Sequence, residues 1–140
     1  MMKEWINIKG IGNVYIESIL VTFDVPLLFV CKTKDNNRYL VLSEDERGYL
    51  VSKCSDKMLL DMLQNKTPMD KVFMDSDENI LIQIDSKENE CVGKVIDRKD
   101  LHAGMLPDKG AYFESNNDNI KEYVDRVSNV QSSLYDRRKV

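Results

Sequence analysis

From Val14 to Lys53 the chain alternates short apolar runs with brief polar breaks, the pattern of strands joined by tight turns. Val14–Phe23 (VYIESILVTF) is rich in β-branched and aromatic residues and predicts a strand. Asp24-Val25-Pro26 interrupts it, because proline cannot donate to a ladder and restricts the residue before it. Leu27–Thr33 (LLFVCKT) resumes as a strand. Lys34-Asp35-Asn36-Asn37 carries hairpin-turn chemistry, since Asn and Asp tolerate the left-handed backbone such turns need. Arg38–Ser43 (RYLVLS) returns, and a charged turn over residues 44–48 leads into Tyr49–Lys53 (YLVSK). Four strands on short connections leave no room for parallel crossovers, so an antiparallel meander is predicted.

The period then changes. Ser55 is a good N-cap for a short helix over Asp56–Leu63, with Met58, Leu59, Met62 and Leu63 on one face and Asn65 as its stop. Thr67-Pro68-Met69-Asp70 reads as a second helix start, with a cap, a proline in the first turn and an acid at the capping-box position. Asn79–Ile84 (NILIQI) and Glu90–Ile96 (ECVGKVI) predict a further hairpin. Residues 97–115 are loop-like, punctuated by Gly104, Pro107 and Gly110. Beyond them Ile120, Tyr123, Val124, Val127, Val130 and Leu134 recur at steps of three and four, with Arg137, Arg138 and Lys139 where a helix dipole favours cations. The predicted class is α+β: an antiparallel sheet (a meander plus a second hairpin), two short helices and a longer C-terminal helix. Residues 1–115 form the domain; residues 116–140 form an amphipathic helix that either packs on it or mediates self-association.

Composition narrows the class without naming a function. The chain has 140 residues, 42% of them hydrophobic, which suffices for a core. A formal net charge of −4 argues against a general nucleic-acid binder, which carries a basic face. No apolar run is long enough to span a membrane, and the N-terminal stretch has no secretory pattern. Cys31, Cys54 and Cys91 are odd in number and widely spaced, neither a disulfide framework nor a zinc pattern, so a reducing cytoplasm is expected.

Candidate chemistry is thin. His102 is the only histidine, so a hydrolase would have to use it, with Asp100 or a distant acid. Asp75-Ser76-Asp77-Glu78-Asn79 begins like a calcium loop, but Ile80 stands where glycine is needed and Ser86 where a bidentate Glu belongs. A turn between helix and strand is the better account. Gly10-Ile11-Gly12 precedes a strand, whereas a phosphate-binding loop follows one, so these glycines shape the entry into the sheet. No metal or cofactor is predicted.

Three stretches carry a resemblance: VYIESILVTFDVPLLFVCKTKDNNRYLVL (14–42), MLLDMLQNKTPMDKVFMDSDENILIQI (58–84) and DLHAGMLPDKGAYF (100–113). In this order they resemble a family of small bacterial domains catalogued only as a domain of unknown function. The resemblance covers roughly residues 14–115, leaves the C-terminal helix outside, and implies no activity. Because loops on a rigid scaffold usually carry function, Asp24, Tyr39, Leu106, Pro107 and Asp108 are the candidate ligand or partner surface. Ile120, Tyr123, Val124, Val127, Val130 and Leu134 are the candidate self-association face. The leading reading is a non-enzymatic interaction module with a protein partner, of the immunity, antitoxin-like or phage counter-defence kind. A binder of a nucleotide-like signal, with a homo-oligomer forming the pocket, comes second. A hydrolase using His102 comes third.

Overall fold

The computed structural model describes residues 3–44, 48–83, 90–91, 93–101, 103–114 and 120–128. The meander is present: β2 (Gly12–Phe23), β3 (Val25–Lys32), β4 (Arg38–Ser43) and β5 (Gly48–Cys54) pair antiparallel in chain order. Its turns follow their chemistry. Asp24 closes the β2–β3 hairpin at φ 63°, and Asn36 closes β3–β4 at φ 67°, both in the left-handed region that short polar side chains tolerate. A strand not foreseen, β1 (Lys3–Ile8), precedes them and pairs antiparallel with the start of β2 through Gly10 and Gly12, both at positive φ.

After β5 come α1 (Asp56–Leu63) and α2 (Met69–Met74). The Ser55 hydroxyl accepts the Met58 N–H at 3.2 Å, the expected cap, and Asn65 ends the turn at φ 62°. The start of α2 departs from the capping-box expectation. Pro68 occupies the cap position with no side-chain cap bond, and Asp70 reaches away instead to accept the Gly110 N–H at 3.3 Å. That bond and Met69 N–H to the Ala111 carbonyl pin the 108–111 turn onto α2.

The sheet ends on itself. β6 (Asn79–Gln83) adds antiparallel to β5, and β8 (Gly93–Val95) adds antiparallel to β6. The antiparallel pairing of residues 93–95 with β6 is that of the predicted hairpin; the segment joining them, residues 84–89, lies outside the described residues. β7 (Glu90–Cys91), however, pairs in parallel with Asn7 and Ile8 of β1, at the far end of the order β7-β1-β2-β3-β4-β5-β6-β8. Only residue 92 separates β7 from β8, so two neighbouring segments of the chain pair with the two ends of the sheet and close it into a barrel. Gly93 sits at this seam. A Cβ there would lie 2.3 Å from Ile80 Cγ2, so only glycine lets the closing strand come in against β6.

Closure explains why strands are apolar on both faces. Val14, Phe29, Cys31, Tyr39, Val41, Val51, Ile80 and Ile82 fill the inside, and Trp5 of β1 meets Phe29 and Tyr49 edge-on with ring centroids 5.0 and 5.1 Å away. Leu28, Val30, Leu40 and Leu50 point outward and are covered by Leu59, Met62 and Leu63 of α1 and by Val72 and Phe73 of α2. Residues 120–128 form a third helix, α3, whose Ile120, Tyr123 and Val127 are buried in this same outer core beside Phe113.

Candidate functional site

The outer core holds one polar network. Glu17 interrupts the apolar run of β2 and faces the helices, where Arg38 donates to it through Nε at 2.8 Å and Nη2 at 3.2 Å. Arg38 Nη1 donates to Asp56 at the first turn of α1, and the Tyr123 hydroxyl of α3 donates to Glu17 Oε1. Lys32 stands farther off, 3.7 Å from Glu17 Oε2. Four elements far apart in the chain are thus fastened at the Glu17–Arg38 pair, β2, β4 and α1 at the guanidinium and α3 through the carboxylate.

Burial would raise the Glu17 carboxyl, but the hydrogen bonds from Arg38 and Tyr123 and the charges of Arg38 and Lys32 outweigh it and hold it below the ordinary range. Burial, then the bond to Glu17, pushes the Tyr123 hydroxyl far up, so it stays a donor. Every nitrogen of Arg38 is engaged. A carboxylate paired this completely is a fastening, not a general base.

Two clefts flank the network. The larger, about 510 Å³, is lined by Asn36, Arg38, Cys54, Asp56, Asp75 and Glu78, among others. Its thiol is inert at neutral pH, because burial pushes Cys54 up to about 12. Cys31, inside the barrel, is raised further for the same reason, with Glu17 adding to it. The calcium-like run beside this cleft is committed to the fold. The Ser76 hydroxyl bonds the Lys53 and Glu78 carbonyls, Asp77 pairs with Arg98 at 3.1 Å, and Asn79 bonds Ser52. Among the described residues no three His, Cys, Asp or Glu side chains gather as a metal site. The smaller cleft, about 180 Å³, is bounded by Glu17, Lys32, Arg38, Tyr123, Arg126 and Val127.

The β2–β3 hairpin is the second feature. β1 covers β2 only as far as Ile16, and β4 covers β3 only from Leu28 onward, so residues 18–26 overshoot the barrel as a two-stranded arm. Leu20 packs inward on the outer core, whereas Ile19, Val21 and Val25 are 44%, 37% and 56% exposed. Among the described residues no strand pairs with the outer edge of β2 beyond Ile16.

The residues singled out from sequence are dispersed. Asp24 lies exposed at the tip of this arm. Tyr39 is buried inside the barrel, while Leu106 packs on the outer core across the sheet wall from it. Pro107 is half-buried and Asp108 exposed, in the turn held by α2. The structure does not bring these five together. Of the self-association stripe, Ile120, Tyr123 and Val127 are buried in the chain's own core and Val124 packs partly against it; Val130 and Leu134 lie outside the described residues. His102 also lies outside them. No helix among the described residues is long and apolar enough to cross a membrane.

Glu17 and Arg38 were missed from sequence. Their signal was a lone acid inside the apolar strand VYIESILVTF, which needs a buried cation. No protein-family model, curated protein or solved structure matches the chain, so the resemblance of residues 14–115 gains nothing from them.

Proposed function

We propose that the protein is a protein-interaction module that receives an extended strand of its partner along the free edge of β2. One observation carries this reading: an uncharged edge, Ser18–Phe23, has no pairing strand among the described residues and stands beside exposed Ile19, Val21 and Val25. Edges of this kind invite strand addition unless charged, covered or shortened. Main-chain hydrogen bonds supply affinity, and the exposed side chains select alternating apolar residues on the incoming strand.

A second copy of the chain fits the edge poorly. Antiparallel self-pairing centred on Leu20 and Val21 places Glu17 of one copy across from Asp24 of the other, and like charges directly opposite are destabilising. The partner strand instead carries apolar residues at alternate positions and a cation at the end that meets Asp24. The saturated Glu17–Arg38–Tyr123 network and the inert thiols favour binding over catalysis.

Selection from a random peptide library on immobilised protein tests this. Peptides of alternating apolar residues with a terminal Lys or Arg should be enriched by the wild type and not by the I19K/V21K variant. Enrichment that is equal for both proteins, or absent from both, would sink the reading.

A further inference from the structure

The small cleft between β3 and α3 shows an excess of cations over the carboxylates they neutralise. Lys32, Arg38 and Arg126 surround it, and only Glu17 and Asp56 stand against them in the network, which leaves one positive charge in excess. The two carboxylates are spent on Arg38. Both Glu17 oxygens accept from its guanidinium, one of them also from Tyr123, and Asp56 accepts from its third nitrogen. Among the described residues Lys32 therefore keeps only its long 3.7 Å contact to Glu17, with its side chain 21% exposed.

Arg126 has no carboxylate partner among the described residues. Its guanidinium lies over the Tyr123 ring, 5.6 Å from the centroid, which fixes its plane while leaving its hydrogen-bonding edge free. The Tyr123 ring and Val127 form the apolar side of the cleft. A point charge on one side and a planar fork on the other is an arrangement suited to an oxyanion. The volume of about 180 Å³ falls below the usual range for whole small molecules, so the site fits one anionic group with the rest of its carrier outside.

We propose that this cleft is a binding site for a phosphate group, held between the Lys32 ammonium and the Arg126 guanidinium. A dianion matches two otherwise under-used cations better than a carboxylate does. The site is separate from the free edge of β2 and does not depend on it.

Titration calorimetry of the full chain with inorganic phosphate, at ionic strength held constant with sodium chloride, tests it. The parallel arm uses adenosine monophosphate. Saturable one-site binding is expected, weakened about tenfold by K32M and likewise by R126M, as losing one charge-assisted hydrogen bond implies. Both residues border solvent, and thermal melting of each variant in chloride alone verifies its fold. Equal affinity for the two ligands identifies free phosphate as sufficient; tighter binding of the nucleotide identifies a phosphate monoester as the ligand. Absence of saturable binding in both arms, or binding that survives both substitutions, overturns the proposal.

Discussion

The closing strands β7 and β8 and the arm over residues 18–26 meet the same problem, an exposed sheet edge, in opposite ways. At the seam β7 pairs with Asn7 and Ile8 of β1 while β8 pairs with β6, so neighbouring segments of the chain engage both ends of the sheet. At the arm, β2 runs past the last residue that β1 covers, and among the described residues its outer edge has no partner strand and has apolar side chains beside it. A sheet able to close on itself has no structural need for this overshoot. The difference teaches that the open edge is a local feature of one hairpin and not the unfinished rim of an open sheet. Substitutions at the two places should therefore separate stability from binding.

The largest effect is expected at the seam. Valine at Gly93 would meet Ile80 and Ile82 at once, and G93V should cost about 3 kcal/mol in urea unfolding, as forced overpacking does. Wild-type stability in that variant would mean that the strand does not close against β6.

At the base of the arm, E17Q removes the charge that gathers β2, β4 and α3, and about 2 kcal/mol should be lost at neutral pH. The Glu17 carboxyl titrates below its ordinary value of 4.5 in the folded protein, so its contribution is complete above that pH and disappears as pH falls through the lower folded value. The gap between wild type and E17Q should narrow over that acid window and stay constant above it. A gap independent of pH down to the acid limit would remove Glu17 as the charged fastening.

At the tip, Asp24 holds a left-handed backbone that a β-branched residue resists. D24V should cost about 1 kcal/mol and D24G almost nothing, measured by the same unfolding curves. Equal costs would show that the Asp24 side chain, and not its backbone, sets the turn. The smallest effect on stability belongs to I19K/V21K, within about 0.5 kcal/mol of wild type because both side chains are substantially exposed. That variant should nonetheless lose peptide binding, the reverse of G93V.

The local parts of this structure were legible in the sequence. The meander followed from alternation and turn residues, the start of α1 from Ser55, and the buried face of α3 from Ile120, Tyr123 and Val127 at helical spacing. What escaped was non-local. The stretch over β1 is a short alternation, Trp5, Ile6 and Ile8, beside charged and glycine-rich neighbours, too brief to stand out. Barrel closure depends on Asn7 meeting Glu90, a parallel pairing between segments that carry no mark of each other. The network was hidden for the same reason, since positions 17, 38 and 123 converge only after the sheet curls and α3 docks. Tyr39 was taken for a surface residue because its polar tip was read and its register was not. It alternates with Arg38 and Leu40, which face outward, and so faces the barrel interior.

Hydrogen exchange resolved by residue puts the contrast between seam and arm to its most direct test. In the free protein, amides of Lys94 and Ile96, which face β6, should show protection close to that of β4, while outward-pointing amides between Ser18 and Phe23 exchange orders of magnitude faster and become protected when a selected peptide is added. Equal protection of both segments in the free protein, or an arm unaffected by the peptide, would contradict the account.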